Sequence, residues 1–419
     1  MHISRAALAV AVSLAISLTL HGPAVANEGV ATPPAELQQK ADKGDPAAMR
    51  ELGRFYEKAP QPANAAEAHK WYLKAAVAGD AEAQYYAGHD FLYRLERDND
   101  EAIKWLEKAA AQGSAGAERL LGEAYLTGLA EVDKRRRFPY DLAKGKALLQ
   151  RAAEKGDKQA QYILGYALYY GQFEKIQDET AAHKWLQLAS AQGHPGAARI
   201  LGEQYWFGSG VERDFAKSLV FYQRAAEAGD VLAQYQLGFA YVNGDPDGAG
   251  KDPAKAAKWF LAAARDGDVA KQESERFVER PETQSLFMEA IANSAWQLGR
   301  LYETGSGVEK DPARAALWYE QAALSQSREG AYYLAGAYER GEGVEKSPAR
   351  AYFWYELARG NSHSFGTMED LTGKIADAIA RLEKQNTPAE LADARERAAL
   401  ESHRRAQVAA TEMLNKSDF

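Results

Sequence analysis

The residues able to do chemistry are spread thinly along this chain. Six histidines follow the N-terminal apolar segment: His69, His89, His183, His194, His363 and His403. None lies three or four residues from another, so no helix turn brings two imidazoles together for a metal. Neither H-E-x-x-H nor G-x-S-x-G occurs, and nothing places a base beside a nucleophile. There is no cysteine, which removes disulfides, thiolate ligands and thiol nucleophiles. A glycine-rich stretch, Gly244 to Asp252, reads G-D-P-D-G-A-G-K-D. It fails as a phosphate loop, because Asp245 stands where the first glycine belongs and Asp252 where a Ser or Thr must follow Lys251. Asp245, Asp247 and Asp252 could gather around a calcium ion, but their spacing is not that of a calcium-binding helix–loop–helix. The expectation is a chain without catalytic residues, metal or cofactor.

What remains is recognition by surface. Lys134-Arg135-Arg136-Arg137-Phe138 sets four consecutive cations in an otherwise acidic chain. Such a run is either a solvated loop or a contact for an acidic partner, an anionic headgroup or a polyuronate. Aromatic residues are also abundant, and rings anchor interfaces and can stack on sugars. Tyr86, His89, Tyr166, Trp206 and Trp296 are the ring-bearing candidates for exposed recognition, with Arg135, Arg136 and Arg137 as the charged ones. His69 and His183 both stand two residues before a recurring tryptophan and read as surface helix positions.

The elements that must carry these residues repeat. Leu-Gly-x-x-Tyr occurs at Leu52-Gly53-Tyr56, Leu121-Gly122-Tyr125, Leu201-Gly202-Tyr205, Leu237-Gly238-Tyr241 and Leu298-Gly299-Tyr302. Leu164-Gly165, Ala87-Gly88-Phe91 and Leu334-Ala335-Tyr338 are variants of it. Each is followed by K-A-x-x-W-x-x-x-A-A, anchored at Trp71, Trp105, Trp185, Trp259, Trp318 and Trp354, with Leu148 and Phe221 in the same place. The anchors are 34, 43, 37, 36, 38, 59 and 36 residues apart. Each half has the i, i+3, i+4 apolar spacing of a helix, as in Ala256, Trp259, Phe260 and Ala263. Asp252-Pro253, Asp311-Pro312 and Ser347-Pro348 pair a capping side chain with a proline at the first helical position. The G-x-G-V loops at Gly208, Gly305 and Gly341 are accounted for by turn and capping needs. A single helix pair cannot bury this much apolar surface, whereas a stack can.

This signature resembles the Sel-like repeat family, relatives of the tetratricopeptide repeats, over Glu36 to Gly360. The resemblance implies an all-α, right-handed solenoid of about eight antiparallel helix pairs with capping helices. It also implies an adaptor role, since family members commonly bind other proteins in signalling, export, immunity or host contact. That range shows how little a fold fixes function.

The rest of the chain completes the reading. Residues 1–26 show a basic start at Arg5, an apolar run from Ala6 to Leu20 and the A-x-A site Ala24-Val25-Ala26, as in a secretory signal peptide; an uncleaved anchor is the alternative. Residues 27–35 read as a flexible leader and 36–360 as the solenoid, with insertions near 127–142 and 268–292. The second insertion is expected to add a helix to the stack or a partner-binding protrusion. Residues 361–419 read as two charged amphipathic helices, Asp370 to Gln385 and Pro388 to Leu414, which cap the stack or dock a partner as a coiled coil. With 51 Lys and Arg against 59 Asp and Glu, the net charge is −8, the wrong sign for a nucleic-acid binder. The 46% apolar content is that of a globular chain. A secreted chain without cysteine fits the bacterial periplasm best. The function expected is a monomeric, non-enzymatic periplasmic scaffold or adaptor for an envelope or secreted protein. The rival is a polysaccharide-binding component of exopolysaccharide export or cell-wall remodelling, favoured by the aromatic excess and the basic loop.

Overall fold

The structure is a computed structural model. It describes residues 32–58, 62–93, 98–127, 141–173, 177–245, 250–274, 281–360, 371–398 and 400. The described residues are helical with no strand. A lead helix α1 (Ala35–Asp42) precedes eight helix pairs: α2 (Pro46–Glu57) with α3 (Pro62–Val77), α4 (Ala81–Tyr93) with α5 (Asn99–Ala111), α6 (Ala115–Thr127) with α7 (Leu142–Glu154), and α8 (Lys158–Tyr169) with α9 (Glu179–Ala191). Then follow α10 (Pro195–Phe207) with α11 (Phe215–Glu227), α12 (Val231–Asn243) with α13 (Pro253–Ser274), α14 (Pro281–Thr304) with α15 (Pro312–Leu324), and α16 (Arg328–Arg340) with α17 (Pro348–Gly360). α18 (Leu371–Gln385) follows the last pair, and a further helix covers 388–398. The chain divides into two compact units, residues 1–161 and 162–419.

Local chemistry sets the helix ends. Asp45, Asp141, Asp178, Asp214, Asp230 and Asp311 each accept a backbone N–H from the first turn of the helix they precede, filling donors that a helix start leaves open. Between α11 and α12 the chain turns through Gly229 at φ +88°, and the Asp230 N–H reaches back to the Ala225 carbonyl at 3.1 Å. The matching turn after α15 uses Gln326 at φ +66°, the one non-glycine residue with positive φ among those described.

The core repeats a single contact. The largest fully buried side chain of a pair is not the tryptophan but the residue after it: Tyr72, Leu106, Leu149, Leu186, Phe260 and Tyr319 are sealed from solvent. Each presses on the signature glycine of its own pair. A Cβ on Gly53 would lie 2.5 Å from the Tyr72 ring, and one on Gly202 2.6 Å from the Tyr222 ring. The same approach joins Gly88 to Leu106, Gly122 to Leu149, Gly165 to Leu186, Gly238 to Phe260 and Gly299 to Tyr319. The glycine is a socket for a neighbouring side chain, and interiors packed this closely leave no room for one more carbon. In three of the four pairs where that residue is tyrosine, its hydroxyl donates to a glutamate at the end of the first helix: Tyr72 to Glu57 at 2.8 Å, Tyr319 to Glu303 at 2.8 Å and Tyr355 to Glu339 at 3.0 Å.

Two sequence expectations need correcting. The G-x-G-V loops do more than turn: their second glycines, Gly210, Gly307 and Gly343, abut Glu179, Pro253 and Pro312 at the start of a helix one repeat earlier. A side chain there would push successive repeats apart. Among the described residues the second insertion adds no separate helix; it lengthens α13 to 22 residues and α14 to 24, with Phe287 and Met288 packed beside Val231, Ala263 and Ile291. Its Phe277 lies outside the described residues. At the C-terminus, α18 buries Leu371, Ile375, Ala378, Ile379 and Leu382 in the core cluster of the last two pairs.

Candidate functional site

The first helix of each pair carries the residues that the repeat signature does not need. In the first unit, α4 brings Tyr85, Tyr86 and His89 together. Tyr86 lies half-buried, stacked on Tyr72 with ring centroids 4.6 Å apart, and the Arg54 guanidinium sits 5.8 Å over its ring. His89 stands between Tyr85 and Tyr93, with Nδ1 3.6 Å from the buried Asp90 carboxylate. His69 reaches the same carboxylate from α3 at 3.2 Å. His183 in the second unit makes the matching contact, Nδ1 to Gln204 Oε1 at 2.9 Å. These two histidines are therefore not free surface residues. They tie the second helix of one pair to the first helix of the next pair through a polar residue beside the signature.

In the second unit, α8 lines up Tyr162, Tyr166 and Tyr169, with Tyr170 in the turn just past its end. Tyr162 stacks on His194 at 4.0 Å, and Tyr166 contacts Tyr170 at 4.5 Å. His194 itself caps α10, accepting the Ala197 N–H at 3.2 Å. Tyr170 donates to Glu203 at 3.2 Å; burial, with Glu203 nearby, pushes its hydroxyl well above the ordinary tyrosine range. Tyr170 is nevertheless 42% exposed, and Phe207, at the same place in the next pair, is 68% exposed. Trp206 beside it is half-buried, edge-on to Phe215 at 5.1 Å. Trp296 departs from expectation. It is 6% exposed, inside the core cluster, and its indole N–H finds no acceptor among the described residues. Its position two before the signature leucine marks it for the stack interior, where it lies beside Tyr333, so it offers no ring to a partner. Arg135, Arg136 and Arg137 lie outside the described residues.

Sequence reading missed a charged ladder. The residue two before the signature leucine (or Ala87) alternates: Arg50, Tyr85, Arg119, Tyr162, Arg199, Tyr235. The arginines pair forward with the capping aspartate of the next first helix: Arg50 with Asp80 at 2.5 Å, Arg119 with Asp157 at 3.4 Å and Arg199 with Asp230 at 3.4 Å. Arg119 and Arg199 also hold Glu123 and Glu203 on their own helices at 2.6 Å. Two of the tyrosines pack forward on glycines, Tyr85 on Gly116 and Tyr162 on Gly196. Burial pushes the Glu123 carboxyl upward even though Arg119 opposes it. The alternation was visible in the sequence once the register was known.

Two concavities complete the picture. A groove of about 700 Å³ in the first unit lies between α5, α6 and α7. It sits where Leu148 takes the tryptophan position, and its cations are already paired, Lys144 with Glu107 and both Arg151 and Lys155 with Glu118. The second, of about 250 Å³, lies beside α16 in the second unit. Among the described residues no group of acidic and histidine side chains is arranged to hold a metal ion. No described helix is long and apolar enough to cross a membrane.

This repeat geometry has known relatives. The Sel1 repeat family matches residues 46–80, 81–114, 115–157, 158–194, 195–230, 231–268, 292–327 and 328–361, well over half of the chain. The chain belongs to the Sel1 repeat family. A Sel1 repeat protein from Oxalobacter formigenes has a similar structure, with a TM-score of 0.56 and 25% identity over 86% of this chain and 98% of that one. Among curated proteins, rat protein sel-1 homolog 2 is 27% identical over 195 residues, 41% of this chain and 28% of that protein. The chitin synthase regulator of Saccharomyces cerevisiae is 27% identical over 212 residues, 49% of this chain and 27% of that protein. This chain thus matches less than a third of the length of either curated relative. Sel1 repeats form an interaction scaffold, typically without catalysis, and the fold points to protein partners.

Proposed function

We propose that this chain is a non-enzymatic scaffold of the bacterial periplasm that binds another envelope or secreted protein. One observation carries the reading. In the second unit, adjacent repeats hold Tyr170 and Phe207 exposed at one register, flanked by Tyr166 and Trp206, on a framework whose own packing is satisfied by glycine sockets and aspartate caps. Rings held on rigid helices lose little freedom on binding, and such anchors supply much of the energy of an interface. The resemblance of residues 1–26 to a signal peptide supports export. Chemical crosslinking in cells of its own host, followed by mass spectrometry, tests this. A stoichiometric envelope or secreted protein is the expected product. Recovery of glycan fragments without a protein would instead favour a polysaccharide ligand.

A further inference from the structure

Position 336 breaks the pattern of its own repeat. The residue two after the signature leucine is large or charged in the seven other copies, from Arg54, His89 and Glu123 to Phe239 and Arg300. In the last copy it is Gly336. A glycine inside a helix weakens it, and only the flexible end of Arg340, no core ring or leucine, lies over this one. The nearest atom to a Cβ built there is the Arg340 Nη1, at 2.8 Å. The missing side chain leaves the cavity of about 250 Å³.

The cavity has a distinct chemistry. Its walls are Tyr332, Tyr333 and Tyr355, and Arg340 and Lys374 are its cations, with Glu303 the one carboxylate in the lining. α18 supplies Lys374, so the cavity is complete only when that helix is docked. The dock is a clamp: Arg381 of α18 donates two hydrogen bonds to Glu339, at 2.8 and 2.9 Å. Arg340 donates through Nε to Glu342 at 2.7 Å and through Nη2 to Glu303 at 3.4 Å. Its Nη1, folded over Gly336, has no partner among the described residues.

We infer that this cavity binds a carboxylate side chain of an acidic segment in the partner protein, with an adjacent ring of that segment against Tyr332 and Tyr333. Although Glu303 and Glu342 already pair with Arg340, its Nη1 over Gly336 keeps an unspent N–H pair, which favours a planar acceptor such as a carboxylate. The volume admits a single side chain and not a folded surface. The inference rests on the scaffold reading, because it supplies part of how that scaffold would select a partner.

The test uses the mature protein and a fluorescein-labelled Glu–Tyr copolymer peptide, with its Gln–Tyr counterpart as control, read by fluorescence polarisation. The wild type is expected to prefer the Glu peptide by about tenfold, the size of one charge-assisted contact. Gly336→Phe fills the cavity with a residue already tolerated at Phe239, and Arg340→Gln removes the exposed guanidinium. Both should abolish the preference while leaving the far-ultraviolet circular dichroism unchanged. No preference in the wild type, or its retention by either variant, overturns the inference. Crosslinking in cells separates the two claims. A protein partner captured equally by wild type and Gly336→Phe overturns the cavity's role while the scaffold reading stands. Loss of that partner in Gly336→Phe supports both.

Discussion

If the signature glycine is a socket, one substitution made at two glycines must give opposite signs. At Gly53 an alanine Cβ would sit 2.5 Å from two carbons of the Tyr72 ring. That ring cannot swing away freely: it is fully buried, its hydroxyl holds Glu57 and its face stacks on Tyr86. Overpacking of this kind costs ~1–3 kcal/mol, and the pinned ring puts it toward the upper end. Alanine recovers about 1 kcal/mol of helix propensity. The net expectation for Gly53→Ala is a loss of about 1–2 kcal/mol. At Gly373 in α18 nothing lies within 4 Å of a new Cβ, so Gly373→Ala should gain about 0.5–1 kcal/mol. A stack of repeats need not unfold in one step, so the assay is hydrogen exchange resolved to peptides. Amides of α2 and α3 should exchange faster in Gly53→Ala, and those of α18 more slowly in Gly373→Ala. Equal protection by the two substitutions would refute the socket.

Other consequences follow from the same contacts. Arg199→Met strands the Glu203 and Asp230 carboxylates beside a buried position, which should cost about 3–5 kcal/mol in urea unfolding; replacing all three by apolar residues should restore most of it. His194→Ala removes the cap of α10 and should cost about 0.5–2 kcal/mol, whereas His194→Asp should keep the cap and lose only the stack on Tyr162. Burial works to raise the Glu339 carboxyl, but hydrogen bonds from Arg381 and Tyr355 outweigh it and hold it below the ordinary carboxylate range. A carboxyl lowered in the folded state stabilises above its unfolded value and loses that contribution as pH falls through the folded value. Protection factors of α18 amides, taken relative to the intrinsic exchange rate at each pH, should therefore fall on acidification, and Arg381→Ala should remove most of that fall.

The helix pairs were legible in the sequence because each boundary has a local cause. Asp311-Pro312 names a helix start, and the A-G-D turn at Gly229 names a stop. The partner of each glycine was not legible, because tryptophan draws attention by size. Tyr72 and Phe260 differ from their neighbours only by being one position further round the helix. Trp296 misled for the related reason that an aromatic off the signature looks surplus, when its register turns it inward. His69 and His183 could be aligned from sequence, but their polar partners lie 21 residues on, in the first helix of the next pair. The α13 and α14 extensions escaped because an insertion with apolar residues such as Phe287 and Ile291 reads as a helix of its own and not as two longer ones. Gly336 was legible only as a missing Leu-Gly, and its consequence needed Arg340 and Lys374 in space.

The central claim is that the helix stack contributes binding and not chemistry. Site-specific photocrosslinking tests it most directly, with the probe placed in turn at Tyr170, Phe207 and Tyr166, and at Val220 and Leu188 on the second helices as controls. The account predicts that one protein partner is captured from the first-helix positions and not from the controls. Capture from the control positions alone, or of no protein from any position, would contradict it.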